Sequence, residues 1–408
     1  MDTKVDDRTS NGSRSPRINV LIVDDSALMR QAMASLLSTD DCIRVTTAPD
    51  PIIAMRKMKR TRPDVIVLDL EMPRMDGLTF LRKIMWEDPI PVLVCSDHTS
   101  KGSGLEIRAL EEGAVDIIAK PQVGVRHFLE KSAERLLAAV RGAAQARVTR
   151  PACFQNYART KPDSTRPKAK EMRLPSAGRS QASWDKIVVI GASTGGTEAV
   201  KQVLIGMPPD APPIVIVQHM PEKFTGSYAK SLDRVCAIRV KEATSGDRLT
   251  AGLALIVPGD QHAFIVCRAG KYKIELGGAP PVSGHRPSVD VLFSSAARAA
   301  GPNAVGVIMT GMGVDGARGL CEMKEAGSPT IAQDKATAVV FGMPKEAIAL
   351  GAVDVVLPLD QISKAILELA ASDNSTRQRD KQSPRANVQG RPTLTPQMDV
   401  LKRREPPS

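Results

Sequence analysis

Short apolar runs recur through the first 140 positions, and most of them are closed by a polar residue. Ile18-Asn-Val-Leu-Ile-Val23 runs into Asp24-Asp25-Ser26, Asp64–Leu68 into Asp69, Pro91–Cys95 into Ser96, and Ala114–Ala119 into Lys120; Cys42–Thr47 is a further run. Between them, apolar positions fall at helical spacing to about Ser38, over 50–60, to about Trp86, over 103–112 and over 126–140. Runs this short read as buried strands, and their alternation with amphipathic helices predicts a doubly wound parallel sheet of five strands and five helices.

The same rhythm resumes from Trp184 to about Ala371. Strands are expected at Lys186–Ile190, Pro213–Val217, Ala237–Val240, Leu253–Val257, Ala263–Cys267, Tyr272–Leu276, Val305–Met309, Pro329–Ala332 and Asp354–Leu357. Helices are expected over 197–207, 223–234, 287–299, 315–326, 344–350 and 360–371. Gly270, in the close-spaced cluster 253–276, predicts a hairpin inside an otherwise parallel α/β sheet.

Between and after these halves the pattern is lost. Residues 142–183 carry nine Lys/Arg against two Asp/Glu, and 373–408 carry eight against four; together they account for the whole net charge of +11. Both are rich in Pro, Ser, Gln and Arg, the composition of solvated chain. The expected organisation is therefore a disordered arm (1–17), a first domain (18–140), a flexible basic linker (141–183), a second domain (184–371) and a disordered tail (372–408). With 3% aromatic residues the chain has little to stack on bases, and its basic stretches lack helical periodicity, so no nucleic-acid partner is expected. No run reaches the roughly 18 apolar residues of a membrane helix, and the charged N-terminus has no signal-peptide core, so no membrane insertion is expected. Six scattered cysteines without a C-x-x-C pair suit a reducing cytoplasm.

In the first half the polar residues at strand ends would lie along one edge of the sheet. Asp24, Asp25 and Asp69 repel one another there unless a hard cation is bound, and oxygen ligands with water suit Mg²⁺. Asp69 could then attack a phosphoryl group, with Lys120 and the Ser96 hydroxyl holding the new phosphate oxygens. In the second half, Gly191-Ala-Ser193-Thr194-Gly-Gly196 follows a strand and precedes a helix. Ser193 reads either as a nucleophile presented at a strand end or as a helix cap. A nucleophilic serine needs a base. His219 is favoured because it ends the next strand, while His262 and His285 sit in loops suited to substrate contact as well as catalysis. Asp315, in the glycine-rich turn Gly311-Met312-Gly-Val-Asp-Gly316, is the candidate orienting carboxylate, with Asp260 and Asp290 as rivals. Amides near Met312 and at the start of the helix could hold negative charge on a reacting oxygen.

Two resemblances follow from these residues. Residues 18–140 resemble a response-regulator receiver domain, with acidic pair Asp24/Asp25, phosphoacceptor Asp69, the turn Met72–Gly77, switch hydroxyl Ser96 and the Lys120-Pro121 pair. That resemblance adds the Glu71 carbonyl as a metal ligand; Ile117 stands where the family carries a switch aromatic. Gly191–Gly196, Gln218-His-Met-Pro221, Pro258–His262, His285-Arg286-Pro-Ser-Val-Asp290 and Thr310–Gly316 resemble the catalytic domain of CheB-type chemotaxis protein-glutamate methylesterases. The resemblance implies a Ser193–His219–Asp315 triad, a Met312 amide as oxyanion donor, Thr194 in support, and His262, His285 and Arg286 in substrate contact. It implies hydrolysis of glutamyl methyl esters, and deamidation of selected glutamines, on chemotaxis receptors. A histidine kinase would be the phosphodonor, and the unphosphorylated receiver would cover the active-site edge. No cofactor is expected for the esterase.

Two rival readings compete with this one: a receiver-controlled nucleotide-binding module and a DNA-binding regulator. Against the first, the turn has Ser193 where the dinucleotide fingerprint wants its middle glycine, and Gln218-His219 where it wants an acid. Against the second, no compact basic helix-turn-helix follows residue 140.

Overall fold

The computed structural model describes residues 17–96, 103–120, 126–148, 184 and 186–371. The expected arm (apart from Arg17), the expected linker from 149 to 183, Pro121 and the expected tail lie outside the described residues.

The first half contains β1 (Ile18–Val23), α1 (Ala27–Leu37), β2 (Ile43–Ala48), α2 (Pro51–Met58), β3 (Val65–Asp69), α3 (Gly77–Glu87), β4 (Val92–Ser96), α4 (Ser103–Glu111), β5 (Asp116–Ala119) and α5 (Arg126–Ala144). The strands pair in the order β2-β1-β3-β4-β5, all parallel. β3 and β4 are buried along their whole length, as an apolar strand covered by helices on both faces must be. Helix starts are fixed by short polar caps: Ser26, Asp50 and Asp76 each accept an amide hydrogen from the first turn that follows. α5 runs to Ala144, past the expected boundary at 140. Its Gly142 lies so close to the second half that a Cβ there would stand 3.1 Å from Met312 Sδ.

The second half contains β6 (Ile187–Ala192), α6 (Gly196–Ile205), β7 (Ile214–Gln218), α7 (Glu222–Val235), β8 (Arg239–Glu242), β9 (Leu253–Ile256), β10 (His262–Arg268) and β11 (Lys271–Gly277). It continues through α8 (Val289–Ala300), a 3₁₀ turn (Gly301–Asn303), β12 (Ala304–Ile308), α9 (Ala317–Glu325), β13 (Thr330–Gln333), α10 (Met343–Ala349), β14 (Val355–Leu357) and α11 (Leu359–Ala371). Seven strands form one parallel sheet in the order β14-β13-β12-β6-β7-β9-β8.

The hairpin β10–β11 does not enter that sheet, contrary to expectation; it forms its own two-stranded antiparallel sheet. β9, the strand just before it in the chain, already has β7 on one side and β8 on the other, which leaves the hairpin no place beside it. Its apolar face, Ala263, Ile265 and Ile274, is buried in a cluster with Leu292 and Phe293 of α8 instead, and the Ile265 amide donates to Ser295 Oγ at 2.9 Å.

β6 is the first strand of this half yet lies mid-sheet, with β7 on one flank and β12 on the other. Chain order reverses there, and open α/β sheets bind their ligands at such a point, outside the carboxyl ends of the strands.

Candidate functional site

Three strand ends meet at that reversal. Ala192 and Gln218 are register partners across β6 and β7, so Ser193 and His219, one residue further on each, leave the sheet side by side. The His219 amide donates to Ala192 O at 3.0 Å, and the Ser193 amide donates to Thr310 O, just past β12, at 3.0 Å. Two glycines are set by this crowding. Gly195 has φ +77° in the turn after the serine, a conformation other residues adopt only with strain. Gly311 passes so near the nucleophile that a Cβ would stand 2.7 Å from Ser193 Cβ. That approach brings the Met312 loop against the serine.

Gln218 knits the two strand ends together. Its buried amide donates to Ser193 O at 2.8 Å and to His219 O at 3.2 Å. Thr310 does the same on the other side, donating its hydroxyl to Thr194 O at 2.9 Å and accepting the Val340 amide at 2.9 Å.

His219 Nε2 and Asp315 Oδ2 are 2.8 Å apart, with Asp315 only 1% exposed. Burial pushes the Asp315 carboxyl up, but hydrogen bonds from His219, Ser288 Oγ and the Val289 amide outweigh it and bring it down to about 2. The Asp290 amide adds a further donor at 3.1 Å. An ionised carboxylate only accepts, so Nε2 carries the ring proton and Nδ1 keeps its lone pair. Nδ1 is buried and has no hydrogen-bond partner. It is therefore a base atom with its lone pair in reserve, beside a serine that is 8% exposed.

The rivals to Asp315 have other work. Asp290 accepts from the Gly319 amide and from Ser283 Oγ, and Asp260 binds Arg286. Of the residues expected to contact substrate, His262 does not reach the surface. It is 0% exposed, with Nε2 on Pro280 O at 3.0 Å and Nδ1 accepting the Ser288 amide at 3.2 Å, so it braces the helix cap that serves Asp315. Arg286 is likewise engaged, with Asp260 and with the carbonyls of Gly278 and Ala279. His285 lies flat on the His219 ring.

A second centre lies at the carboxyl edge of the first sheet. Asp24, Asp25 and Asp69 each offer an oxygen within 4.8 Å of the others. Lys120 Nζ lies 2.7 Å from Asp69 Oδ2 and 3.3 Å from Asp24 Oδ2. Burial, aided by the like charge of Asp24, pushes the Asp69 carboxyl up despite Lys120. Apart from that ion pair with Lys120, the buried Asp24 Oδ2 makes no hydrogen bond, which leaves it room for a divalent cation. The Ser96 hydroxyl donates to Glu106 Oε1 on α4 at 2.5 Å, so it is committed to that helix rather than directed at Asp69 alone.

The start of β5 touches the turn that carries Ser193. Val115 O accepts the Gly195 amide at 3.2 Å, and Asp116 Oδ2 accepts the Thr194 hydroxyl at 3.2 Å. Donors on both residues that follow the nucleophile are thus taken by the first half of the chain. Burial raises the Asp116 carboxyl to about 6, even though the Ile117 amide, Thr194 and His219 favour its charge. Glu111 of α4 accepts from Ser231 of α7, and the Arg147 amide donates to Val339 O. Neither Gln218, Ser288 nor Asp116 was singled out from sequence as a site residue. For Ser288 a signal existed, a serine just before the helical pattern at 289; for Asp116 there was none.

Among the described residues no helix is long and apolar enough to cross a membrane. Residues 188–366 match the CheB methylesterase family, and residues 20–133 match the response regulator receiver domain. A protein-glutamate methylesterase/protein-glutamine glutaminase of Anaeromyxobacter dehalogenans is 52% identical over 356 residues, covering 87% of this chain and 99% of the relative. One of the same name from Geobacter metallireducens is 52% identical over 359 residues, covering 86% and 99%. The crystal structure of the Thermotoga maritima CheB methylesterase catalytic domain is 42% identical and covers 45% of this chain and 98% of its own, with a TM-score of 0.44.

Proposed function

This chain belongs to the CheB methylesterase family, with a receiver domain ahead of the catalytic one, and from that premise we propose how its residues divide the work. It is a protein-glutamate methylesterase and protein-glutamine glutaminase under receiver control, acting on the glutamyl methyl esters of chemotaxis receptors. Ser193 Oγ attacks the ester carbonyl carbon while His219 Nδ1 takes its proton. Asp315 holds the ring by Nε2 and stabilises the imidazolium. The tetrahedral oxyanion is held by amides of the Met312 loop and the turn after Ser193. His219 returns the proton as methanol leaves, water then cleaves the acyl-enzyme by the same base, and the glutamate carboxylate is released. With a glutamine side chain the same steps expel ammonia.

The observation that carries this reading is the orphaned Nδ1 of an Asp-bound histidine, placed by the β6/β7 register beside a serine at a strand end. The test is methanol release from methylated receptor membranes, with and without a small phosphodonor. Release that rises with the phosphodonor supports the reading, and none under either condition rejects it.

In the receiver, Asp69 is the phosphoacceptor: its carboxylate attacks phosphorus as the bond from phosphorus to the donor's leaving group breaks, giving an acyl phosphate and the freed donor, and Lys120 pairs with the incoming oxygens. Asp24, Asp25 and Asp69 would hold Mg²⁺, which neutralises charge on the phosphoryl group. A histidine kinase of the same pathway is the physiological donor. Labelling by a small phosphodonor is expected to vanish on Asp69→Ala and on chelation of Mg²⁺; label that survives the substitution would move the phosphoacceptor elsewhere.

Receiver control follows from the contacts at Val115 and Asp116. They occupy the Gly195 amide and Thr194 hydroxyl, so in the closed arrangement these donors face the receiver and not a substrate. Phosphorylation draws the Ser96 hydroxyl from Glu106 to the new phosphate, which loosens α4 and its Glu111–Ser231 tie to α7 and shifts the population toward an open form. Glu106→Ala is accordingly expected to raise basal activity severalfold and to shrink the further rise on adding phosphodonor, both read as methanol release.

A further inference from the structure

The base is held on its face as well as its edge. Asp315 takes the edge of the His219 ring, and His285 lies flat against it, with ring centroids 3.8 Å apart and planes within 6°. The loop that presents His285 is tightly built although much of it is exposed. Val282 and His285 exchange both backbone hydrogen bonds, at 3.0 and 2.9 Å. Between them Ser283 has φ 52° and Gly284 φ 78°, the two left-handed residues of a tight hairpin turn. On the far side Arg286 grips Asp260 Oδ1 through Nε at 2.9 Å and Nη2 at 2.6 Å. Ser283 Oγ reaches Asp290 Oδ2 at 3.2 Å, and two residues after Arg286 the chain caps α8 with Ser288, which also donates to Asp315. These anchors fix the position of a single imidazole plane.

We infer that His285 is a positioning residue for the reaction, its ring serving as the flat wall that keeps His219 in the plane where Nδ1 meets the Ser193 hydroxyl. Stacking removes the swing about the ring's own axis that the single Asp315 contact leaves free. The same face steadies the imidazolium that forms during attack, because a cation is attracted to a neighbouring π surface. The inference rests on the reading of His219 as the base. The charged groups that face His219 are Asp315 from the β12–α9 turn and Asp116 from the receiver. The stack is the contact that sets the plane of the ring.

The full-length protein with saturating phosphodonor provides the test, with kcat and KM for methanol release measured separately. His285→Ala is expected to lower kcat by roughly 10- to 100-fold and to leave KM within about threefold, a share of the usual acid–base contribution. His285→Phe keeps a flat face but no ring nitrogen, and is expected to restore kcat to within about threefold of the parent. Three results would overturn the inference: an alanine variant with normal kcat, one whose defect is confined to KM, or a phenylalanine variant as impaired as alanine. If the unsubstituted protein itself releases no methanol, the hydrolase reading fails first, and that outcome is distinguishable from the other three.

Discussion

Ser193→Ala is expected to lower methanol release by about 10⁴- to 10⁶-fold, leaving only what binding and the oxyanion donors supply. No neighbouring hydroxyl can replace the lost nucleophile: the Thr194 side chain is bonded to Asp116 and the Thr310 hydroxyl to Thr194 O. Asp315→Asn is expected to cost about 10⁴-fold, by a different route. The carboxylate accepts from His219, Ser288 Oγ and two amides, a set that only an ionised group satisfies on both oxygens. An asparagine must point its NH₂ at one of these donors. If it faces His219, Nε2 becomes the acceptor, the ring proton moves to Nδ1, and the lone pair that should meet the serine is gone. Because nucleophile and base act as one unit, Ser193→Ala with Asp315→Asn should be little worse than Ser193→Ala alone. Single-turnover methanol release from methylated receptor membranes checks all three variants. A serine variant within about tenfold of the parent would remove Ser193 as nucleophile.

The fold was legible because both sheets are buried on two faces, so their strands are written as near-continuous apolar runs ending in a polar residue. Asp69 and Ser96 could be placed from those ends alone. Ser193 and His219 could be paired because consecutive strands of a βαβ unit are usually neighbours, and β6 and β7 are. What could not be read was anything decided by contacts between distant segments. His262 and His285 look alike in sequence, each in a loop after a glycine. One is sealed inside by Pro280 and Ser288, and the other lies open against the base. The hairpin β10–β11 is legible but its place is not, because whether β9 has a free side depends on the order of all the strands. Asp116 carries no signal at all in its own sequence, since its partner Thr194 is 78 residues away in the other half of the chain.

Asp116 should make receiver docking pH-sensitive. Its carboxyl stands at about 6 in the closed arrangement, above the ordinary carboxylate value, chiefly because burial disfavours the charge. A group whose pKa is higher in the closed form binds its proton more tightly there. Its favourable contribution to closure is therefore complete below about 3.8, fades as pH rises, and is gone above about 6. At neutral pH the ionised carboxylate then opposes closure relative to the protonated acid. That leaves the closed form poised: the Gly195 and Thr194 contacts hold it while a buried charge works against it. Asn is the neutral counterpart of the protonated acid, with its oxygen placed to take the Ile117 amide and its NH₂ to donate to Thr194 Oγ1. Asp116→Asn is accordingly expected to reduce basal methanol release at pH 7.5 severalfold, while activity with saturating phosphodonor changes far less. In the parent, the ratio of basal to stimulated activity should climb between about pH 5 and 7; in the variant it should stay flat. A variant with raised basal activity would mean that Asp116 holds the domains together through its charge, and the burial argument would be wrong.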